Sequence, residues 1–136
     1  MRRNWPLAPK VYAGMLGEKL RQHEAKCWLV NTGWQGGKFG IGKRMELAYT
    51  RAMVRAIVDG KLDEVDFQVE PAFGLSIPKS VPEVPAQLLN PRNAWADKTA
   101  YDQTAAELSA RFARNFEQFD APPEVRAAGP HATTKK

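Results

Sequence analysis

Hydrophobic positions recur at helical spacing in three stretches of the chain and run apolar or alternate in three shorter ones. From Pro9 to Ala25, Val11, Met15, Leu16 and Leu20 fall on one helical face. Pro9 opens that helix without loss, because a first-turn N–H has no intrahelical partner. From Ala48 to Asp59, Ala48, Ala52, Met53, Ala56 and Ile57 share a face, and Gly60 is placed to end the helix. The third stretch, Lys98 to Phe119, has the clearest periodicity. Tyr101, Ala105, Leu108, Phe112, Phe116 and Phe119 follow one another at spacings of four and three, behind Asp97 as an N-cap. Such a stripe reads as a packing face rather than as a cofactor box.

The strand signals are shorter. Cys27-Trp28-Leu29-Val30-Asn31 is an apolar run expected to form a buried strand. Val65-Asp66-Phe67-Gln68-Val69 alternates as a half-buried strand does, and Phe73-Gly74-Leu75-Ser76-Ile77 alternates less regularly. Pro78, Pro82, Pro85 and Pro91 predict an extended connection over 78–91. Residues 120–136, with three further prolines, small side chains and two terminal lysines, are expected to be a disordered tail. Helix followed by buried strand points to an α/β fold.

Composition narrows the class. The 136 residues are 43% hydrophobic and 26% charged, ordinary for one soluble domain. There is no apolar run long enough to cross a bilayer, and no apolar stretch behind Arg2 and Arg3 as a secretory signal would need. The single Cys27 cannot form an internal disulfide, so the expected location is cytoplasmic. The net charge of +5 permits a phosphorylated ligand or a nucleic acid. The basic residues are dispersed, however, without a continuous basic and aromatic stripe, which argues against a nucleic-acid partner. Lys38, Lys43, Arg44 and Arg51 alone gather near glycines and aromatics.

That gathering lies on the one segment whose composition demands a special backbone. Gly33, Gly36, Gly37, Gly40 and Gly42 fall within ten residues, so a loop with positive φ or close backbone approaches is expected. Gly37, Gly42 and Lys43 fit the phosphate-loop pattern G-x-x-x-x-G-K, in which backbone N–H groups cradle phosphates. Arg44 stands where that pattern needs Ser or Thr for Mg²⁺, so the match is a near miss. The alternative is a glycine-rich surface turn. Other candidates carry little. His23 and His131 have no partners at metal-ligand spacing, Cys27 sits in an apolar run, and Asp63, Glu64 and Asp66 lie in a turn between helix and strand.

Around this loop several motifs agree in order with one family. Trp28-Leu29-Val30-Asn31-Thr32-Gly33-Trp34, Gly36-Gly37 and Gly40-Ile41-Gly42-Lys43-Arg44 resemble the carboxy-terminal region of ATP-dependent phosphoenolpyruvate carboxykinases. The resemblance continues through Tyr49-Thr50-Arg51-Ala52-Met53, Phe73-Gly74-Leu75-Ser76-Ile77-Pro78 and Val84-Pro85. It then takes in Leu89-Asn90-Pro91-Arg92-Asn93, Trp95-Ala96-Asp97-Lys98 and Asn115-Phe116. It runs from near Pro6 to about Phe119. It implies an α/β fold with a mixed sheet and flanking helices, residues 1–119 being the carboxy-terminal part of a nucleotide-binding domain. It also implies the reaction of oxaloacetate with ATP to give phosphoenolpyruvate, ADP and CO2, with Mg²⁺ or Mn²⁺ as cofactor.

Three residues match the family's nucleotide contacts. Arg44 corresponds to an arginine beside the adenine and ribose, where a flat guanidinium can stack on a base. Met45 stands where the family lines the adenine pocket, and Thr50 where a hydroxyl meets the base edge. On this reading the loop serves the base end of ATP and does not cradle phosphates. The resemblance also implies that the phosphate loop, the metal-binding lysine, histidine and aspartate, and the arginine and tyrosine that hold oxaloacetate fall outside these 136 residues. Gln35 replaces a usual small hydroxyl residue, and Lys38 a residue that is often proline. The chain by itself is therefore expected to lack carboxykinase activity and to expose an unpaired sheet edge and apolar surface. Its natural partner would be the amino-terminal part of the enzyme. The competing function is a stand-alone module that binds adenine nucleotides weakly.

Overall fold

The fold follows from a few local stop signals and one small apolar core. The computed structural model describes residues 7–130. Helix α1 spans Pro9–Gln22 with its proline at the first position. It stops short of Ala25 because Glu24 adopts a left-handed conformation, φ 47°. The Glu24 N–H then donates to the Arg21 carbonyl at 3.4 Å and the Ala25 N–H to the Leu20 carbonyl at 3.0 Å. That pair of bonds closes the helix end in the manner usually built around glycine. The helix buries none of its residues.

Two short strands follow, β1 (Trp34–Gln35) and β2 (Lys43–Arg44), paired antiparallel with Trp34 opposite Arg44. Helix α2 spans Leu47–Val58 and ends as its sequence predicts. Gly60 has φ 69°, its N–H donates to Ile57 O at 3.1 Å, and the Lys61 N–H donates to Ala56 O at 2.9 Å. Strands β3 (Phe67–Val69) and β4 (Ser76–Pro78) form a second antiparallel ladder, with Gln68 opposite Ile77. Both are displaced from the expected spans because Glu70 to Gly74 form a turn. Gly74, φ 69°, donates its N–H to Glu70 O at 2.9 Å. Phe67 and Val69 are exposed rather than half-buried.

The prolines of 78–91 do not produce an extended connection. Val81 and Val84 form a bridge around Pro82-Glu83, with Glu83 at φ 64°, the positive value that the second central position of a type II turn requires. Pro85 precedes the one-turn helix α3 (Ala86–Leu89), and Pro91 opens α4 (Pro91–Ala94). Pro82, Pro85 and Pro91 thus sit where a fixed φ starts a turn or helix, while Pro78 ends strand β4. Asn90 caps α4 by accepting from the Arg92 N–H at 3.0 Å. Lys98 donates to the carbonyls of Asn93 (2.9 Å) and Trp95 (2.6 Å), satisfying the end of that helix.

Helix α5 spans Lys98–Phe116, and Asp97 caps it by accepting from the N–H groups of Thr99 and Ala100. Arg92 and Asp102 join α4 to α5 through two parallel bonds, 2.8 and 3.0 Å. That bonding holds the guanidinium above its ordinary pKa. The expected stripe is buried only at its start, where Tyr101 and Ala105 lie; Leu108 and Phe112 are exposed, Phe112 edge-on to Phe73 at 6.3 Å, and Phe116 and Phe119 are half-buried against each other at 5.9 Å. Within the segment from 120 that was expected to be disordered, Pro123–Ala127 form one short helix, α6. Arg126 ties it back to the Phe119 carbonyl at 2.6 Å. His131 and the two terminal lysines lie outside the described residues.

Helices and small sheets therefore combine, as an α/β reading requires. The expected single mixed sheet is not formed: among the described residues there are two separate antiparallel ladders of two strands each. The expected strand Cys27–Asn31 is not formed either, because among the described residues no second strand lies in register beside it. The core is correspondingly small. Ala52 and Ala56 of α2 pack with Leu62, Val81 and Val84, flanked by Trp28, Tyr49, Met53, Ile57, Val65 and Leu89.

A second buried contact joins the β3–β4 turn to α5. The Glu70 side chain, 5% exposed, accepts from the Phe73 N–H at 2.7 Å and from the Tyr101 hydroxyl at 3.4 Å. Burial, then the adjacent Glu70 carboxylate, push the Tyr101 phenol up to about 12. An unfolded chain releases that proton near its ordinary value of about 10. The stability contributed by neutral Tyr101 is thus complete below pH ~10 and is lost as pH rises towards ~12. Tyr101→Phe should lower stability at pH 7 by about 0.5–1.5 kcal/mol for the missing bond. The gap between the two proteins in urea denaturation should narrow from pH ~10 to ~12; a gap that stays constant or widens would refute this assignment.

Candidate functional site

The glycine-rich segment is an arm folded on itself. Met45 N–H donates to Gly33 O at 2.9 Å and closes its base. At its tip the N–H groups of Ile41 and Gly42 both donate to the Lys38 carbonyl, at 3.0 and 2.9 Å. These are among the donors that a phosphate cradle would have to present outward, and here they are engaged within the loop. The loop also connects two antiparallel strands rather than a strand and a helix, so the geometry of a phosphate loop is not reproduced. The near match of Gly37, Gly42 and Lys43 has a different cause.

That cause is close backbone approach. A Cβ on Gly42 would lie 2.6 Å from the carbonyl oxygens of both Gln35 and Gly37. At Gly36, φ 75°, a Cβ would lie 3.0 Å from the Ala94 carbonyl, where the arm meets the end of α4. The glycines therefore let the arm cross itself and settle on α4. Phe39 and Ile41 remain outside, 85% and 80% exposed, with Phe39 edge-on to Trp34 at 5.3 Å.

Between the base of the arm, α2 and the α3–α4 pair lies an apolar cleft of about 380 Å³. Trp28, Trp34, Met45, Met53, Ile77 and Trp95 are among its walls. Gln35 also lines it, and its Oε1 is buried with no hydrogen-bond partner among the described residues. Such an acceptor is one that a ligand or a further segment could satisfy.

The sequence-predicted site residues are placed near one another along the chain but not in one cavity. Arg44 is exposed on β2, opposite Trp34. Met45, the next residue, forms part of the cleft wall. Thr50 lies in the first turn of α2 and lines a separate, open depression with Arg51, Val54 and Arg55. Its hydroxyl reaches back to the Glu46 carbonyl at 3.4 Å. The sequence reading missed Gln35 and Trp95 as cleft residues. Trp95 is reached only through the approach of Gly36 to Ala94, and the glycine pair was the available signal.

The acidic residues do not assemble a metal site. Asp63 is engaged by Lys26 at 2.6 Å and Asp66 by Lys79 at 3.6 Å. No group of three or more His, Cys, Asp or Glu that could hold a metal ion occurs among the described residues. No helix among them is long and apolar enough to cross a membrane.

Comparison with known proteins gives a consistent result. The family model of phosphoenolpyruvate carboxykinase matches residues 4–87. "Phosphoenolpyruvate carboxykinase (ATP) 2" of Moorella thermoacetica is 55% identical over 126 residues, covering 92% of this chain and 24% of the relative. Phosphoenolpyruvate carboxykinase (ATP) of Lysinibacillus sphaericus is 57% identical over 114 residues, covering 84% of this chain and 22% of its own length. That of Rubrobacter xylanophilus is 50% identical over 128 residues, covering 93% and 24%. The chain spans about a quarter of the length of the relatives it matches.

The geometry of the arm makes a prediction of its own. Gly42→Ala must displace two carbonyl oxygens and should cost about 1–3 kcal/mol, the usual penalty for an overfilled site. Gly40 has positive φ, 87°, but open space around it, so Gly40→Ala should cost only the backbone strain of about 1 kcal/mol. Amide exchange at Met45 should accelerate more in Gly42→Ala than in Gly40→Ala. The reverse order would show that crowding does not set the shape of the arm.

Proposed function

The chain belongs to the ATP-dependent phosphoenolpyruvate carboxykinase family, and on that premise we propose that it supplies the adenine side of that enzyme's ATP site. The observation that carries this reading is identity of about half over nine-tenths of the chain to proteins named for that activity. The matched stretch of 4–87 contains Arg44, Met45 and Thr50. Residues 1–119 are then the carboxy-terminal part of a nucleotide-binding domain, with 120–136 a tail outside it, and the protein is cytoplasmic.

In the whole reaction oxaloacetate loses CO2 to leave an enolate, whose oxygen takes the γ-phosphoryl group of ATP to give phosphoenolpyruvate and ADP. Positioning and charge stabilisation carry such transfers. This chain contributes to the first of these. The exposed Arg44 guanidinium offers a flat cationic face to the base. Met45 supplies apolar contact from the cleft wall, and the Thr50 hydroxyl, held only by a long bond to Glu46, is available to the base edge. The closed hydrogen bonding of the glycine arm supports a role at the base rather than at the phosphates. A divalent cation of the family, Mg²⁺ or Mn²⁺, would neutralise phosphate charge. The residues described here do not fit one, since the acidic cluster at 63–66 is engaged by lysines, and its ligands would come from elsewhere in the enzyme.

Exposed apolar surface supports the same reading. Helix α2 directs Ala52 and Ala56 inward, yet Leu47, Val54 and Val58 on other faces are exposed. A helix apolar on more than one face normally lies inside a larger fold.

Two outcomes are expected. The purified chain should show no turnover of oxaloacetate with ATP. In a complex with the polypeptide of the Moorella relative that lies outside the matched 126 residues, activity should appear, and Arg44→Ala should raise KM for ATP about tenfold, the loss of one stacked contact. Turnover by the chain alone, or an unchanged KM in the variant, would overturn the adenine-side reading. Saturable quenching of Trp34 by micromolar ATP in the chain alone would favour the stand-alone module.

A further inference from the structure

The tip of the glycine arm joins two strongly exposed apolar side chains to charge of a single sign. Phe39 and Ile41 are 85% and 80% exposed. Gly40 between them has φ 87°, the left-handed value that turns the chain at the apex. The Ile41 and Gly42 N–H groups both close on the Lys38 carbonyl, so the tip presents its side chains from a backbone that is already ordered. From residue 25 to residue 45 the sequence has no Asp or Glu, against Lys26, Lys38, Lys43 and Arg44. Lys26 is engaged by Asp63 at 2.6 Å. Lys38, Lys43 and Arg44 are exposed, and none of them forms an ion pair among the described residues. The arm therefore carries an apolar point flanked by uncompensated positive charge.

That combination matches the headgroup boundary of an anionic bilayer. Aromatic and aliphatic side chains enter such a boundary about 5–10 Å deep, while Lys and Arg stay at the level of the lipid phosphates. We infer that the arm tip is a peripheral membrane contact, which docks on anionic lipid through Phe39 and Ile41 with Lys38, Lys43 and Arg44 at the phosphates. The contact is interfacial, since two side chains at one loop apex reach no deeper than the headgroup region. Single-stranded nucleic acid, another polyanion, fits less well. Its bases need an open aromatic face, whereas the Phe39 ring is set edge-on to Trp34 at 5.3 Å and Ile41 cannot stack. A second copy of the chain would bring the same uncompensated cations to the contact. Exposure without this charge is found elsewhere: Val58, 78% exposed, lies beside Asp59.

The test is co-sedimentation of the full 136-residue chain with vesicles of phosphatidylcholine, with and without phosphatidylserine. Partition into the anionic vesicles should exceed that into the neutral ones by about 100-fold, because each cation near the surface contributes about fivefold. Lys38→Gln combined with Lys43→Gln should lower anionic partition by about 25-fold. Phe39→Ser combined with Ile41→Ser should lower it at least about tenfold, through the apolar area no longer removed from water. Val58→Ser should stay within about twofold, since an isolated exposed valine has no part in the contact. All these side chains are exposed, so every variant should unfold in urea close to the parent, which separates lost docking from lost folding. The proposal is overturned if neutral vesicles bind as well as anionic ones, if the Phe39 and Ile41 variant binds like the parent, or if Val58→Ser weakens binding as much as the tip variant does. Retention on oligothymidylate that exceeds vesicle binding at the same salt and falls with Phe39→Ser would overturn it in favour of single-stranded nucleic acid. Dimerisation without vesicles that depends on Phe39 and Ile41 would overturn it in favour of a second copy.

Discussion

Contact between the alanine face of α2 and the Val81–Val84 turn is what the remaining structure depends on. Ala52 and Ala56 have no side-chain bulk to hold a partner away, so the turn can approach the helix closely. Leu62, 3% exposed, fills the gap left at the helix end. Burial of a leucine or valine side chain contributes about 1.5–3 kcal/mol. With so few buried side chains, each is a large share of the total. The turn reaches this position because Pro82 and Glu83 reverse the chain between the two valines, and the closure after Gly60 delivers Leu62 to the same place.

A second group of interactions depends on helix ends rather than on apolar contact. Asn90, Pro91, Lys98 and Asp97 cap or initiate the two helices that meet at Trp95. Arg92 and Asp102 then hold these helices in one relative orientation. This junction matters to the candidate site because the Ala94 carbonyl is the surface on which Gly36 rests. The arm that carries Arg44 and Met45 is thus positioned from both ends: by the Met45–Gly33 bond at its base and by the end of α4 near its first strand.

The chain has more apolar surface than it can cover. Leu29, Phe39, Ile41, Leu47 and Val58 are each at least 60% exposed. In a self-sufficient domain residues of these types would form the core. Here they surround the core instead, and α1 adds a helix with no buried side chain. A protein whose relatives are about four times as long is expected to look this way wherever a shared core has been divided. The same physics accounts for the unpartnered Gln35 oxygen in the cleft.

Local features were legible in the sequence wherever a residue acts through its own backbone. Pro9 starts α1, Gly60 ends α2 and Asp97 caps α5, because each effect depends on one residue's φ, missing donor or side-chain acceptor. The motifs that carry the family resemblance were legible for the same reason, as fixed residue types in fixed order. The early end of α1 at Glu24 was not legible, since nothing in that residue's chemistry demands a left-handed conformation. The extension expected from the prolines of 78–91 holds at Pro78 in β4 but not at Pro82, Pro85 and Pro91, because a proline's φ suits the start of a turn equally well. The strand at Cys27–Asn31 failed for a deeper reason: its pattern specifies an extended backbone, but pairing requires a neighbour that no local pattern supplies. Arg44, Met45 and Thr50 were named from the resemblance, and only the tertiary structure shows that they do not line one cavity among the described residues. The sequence determined the start of α1, the end of α2 and the cap of α5. Long-range packing decided which of their faces are covered, because burial is a property of pairs of segments and not of either one.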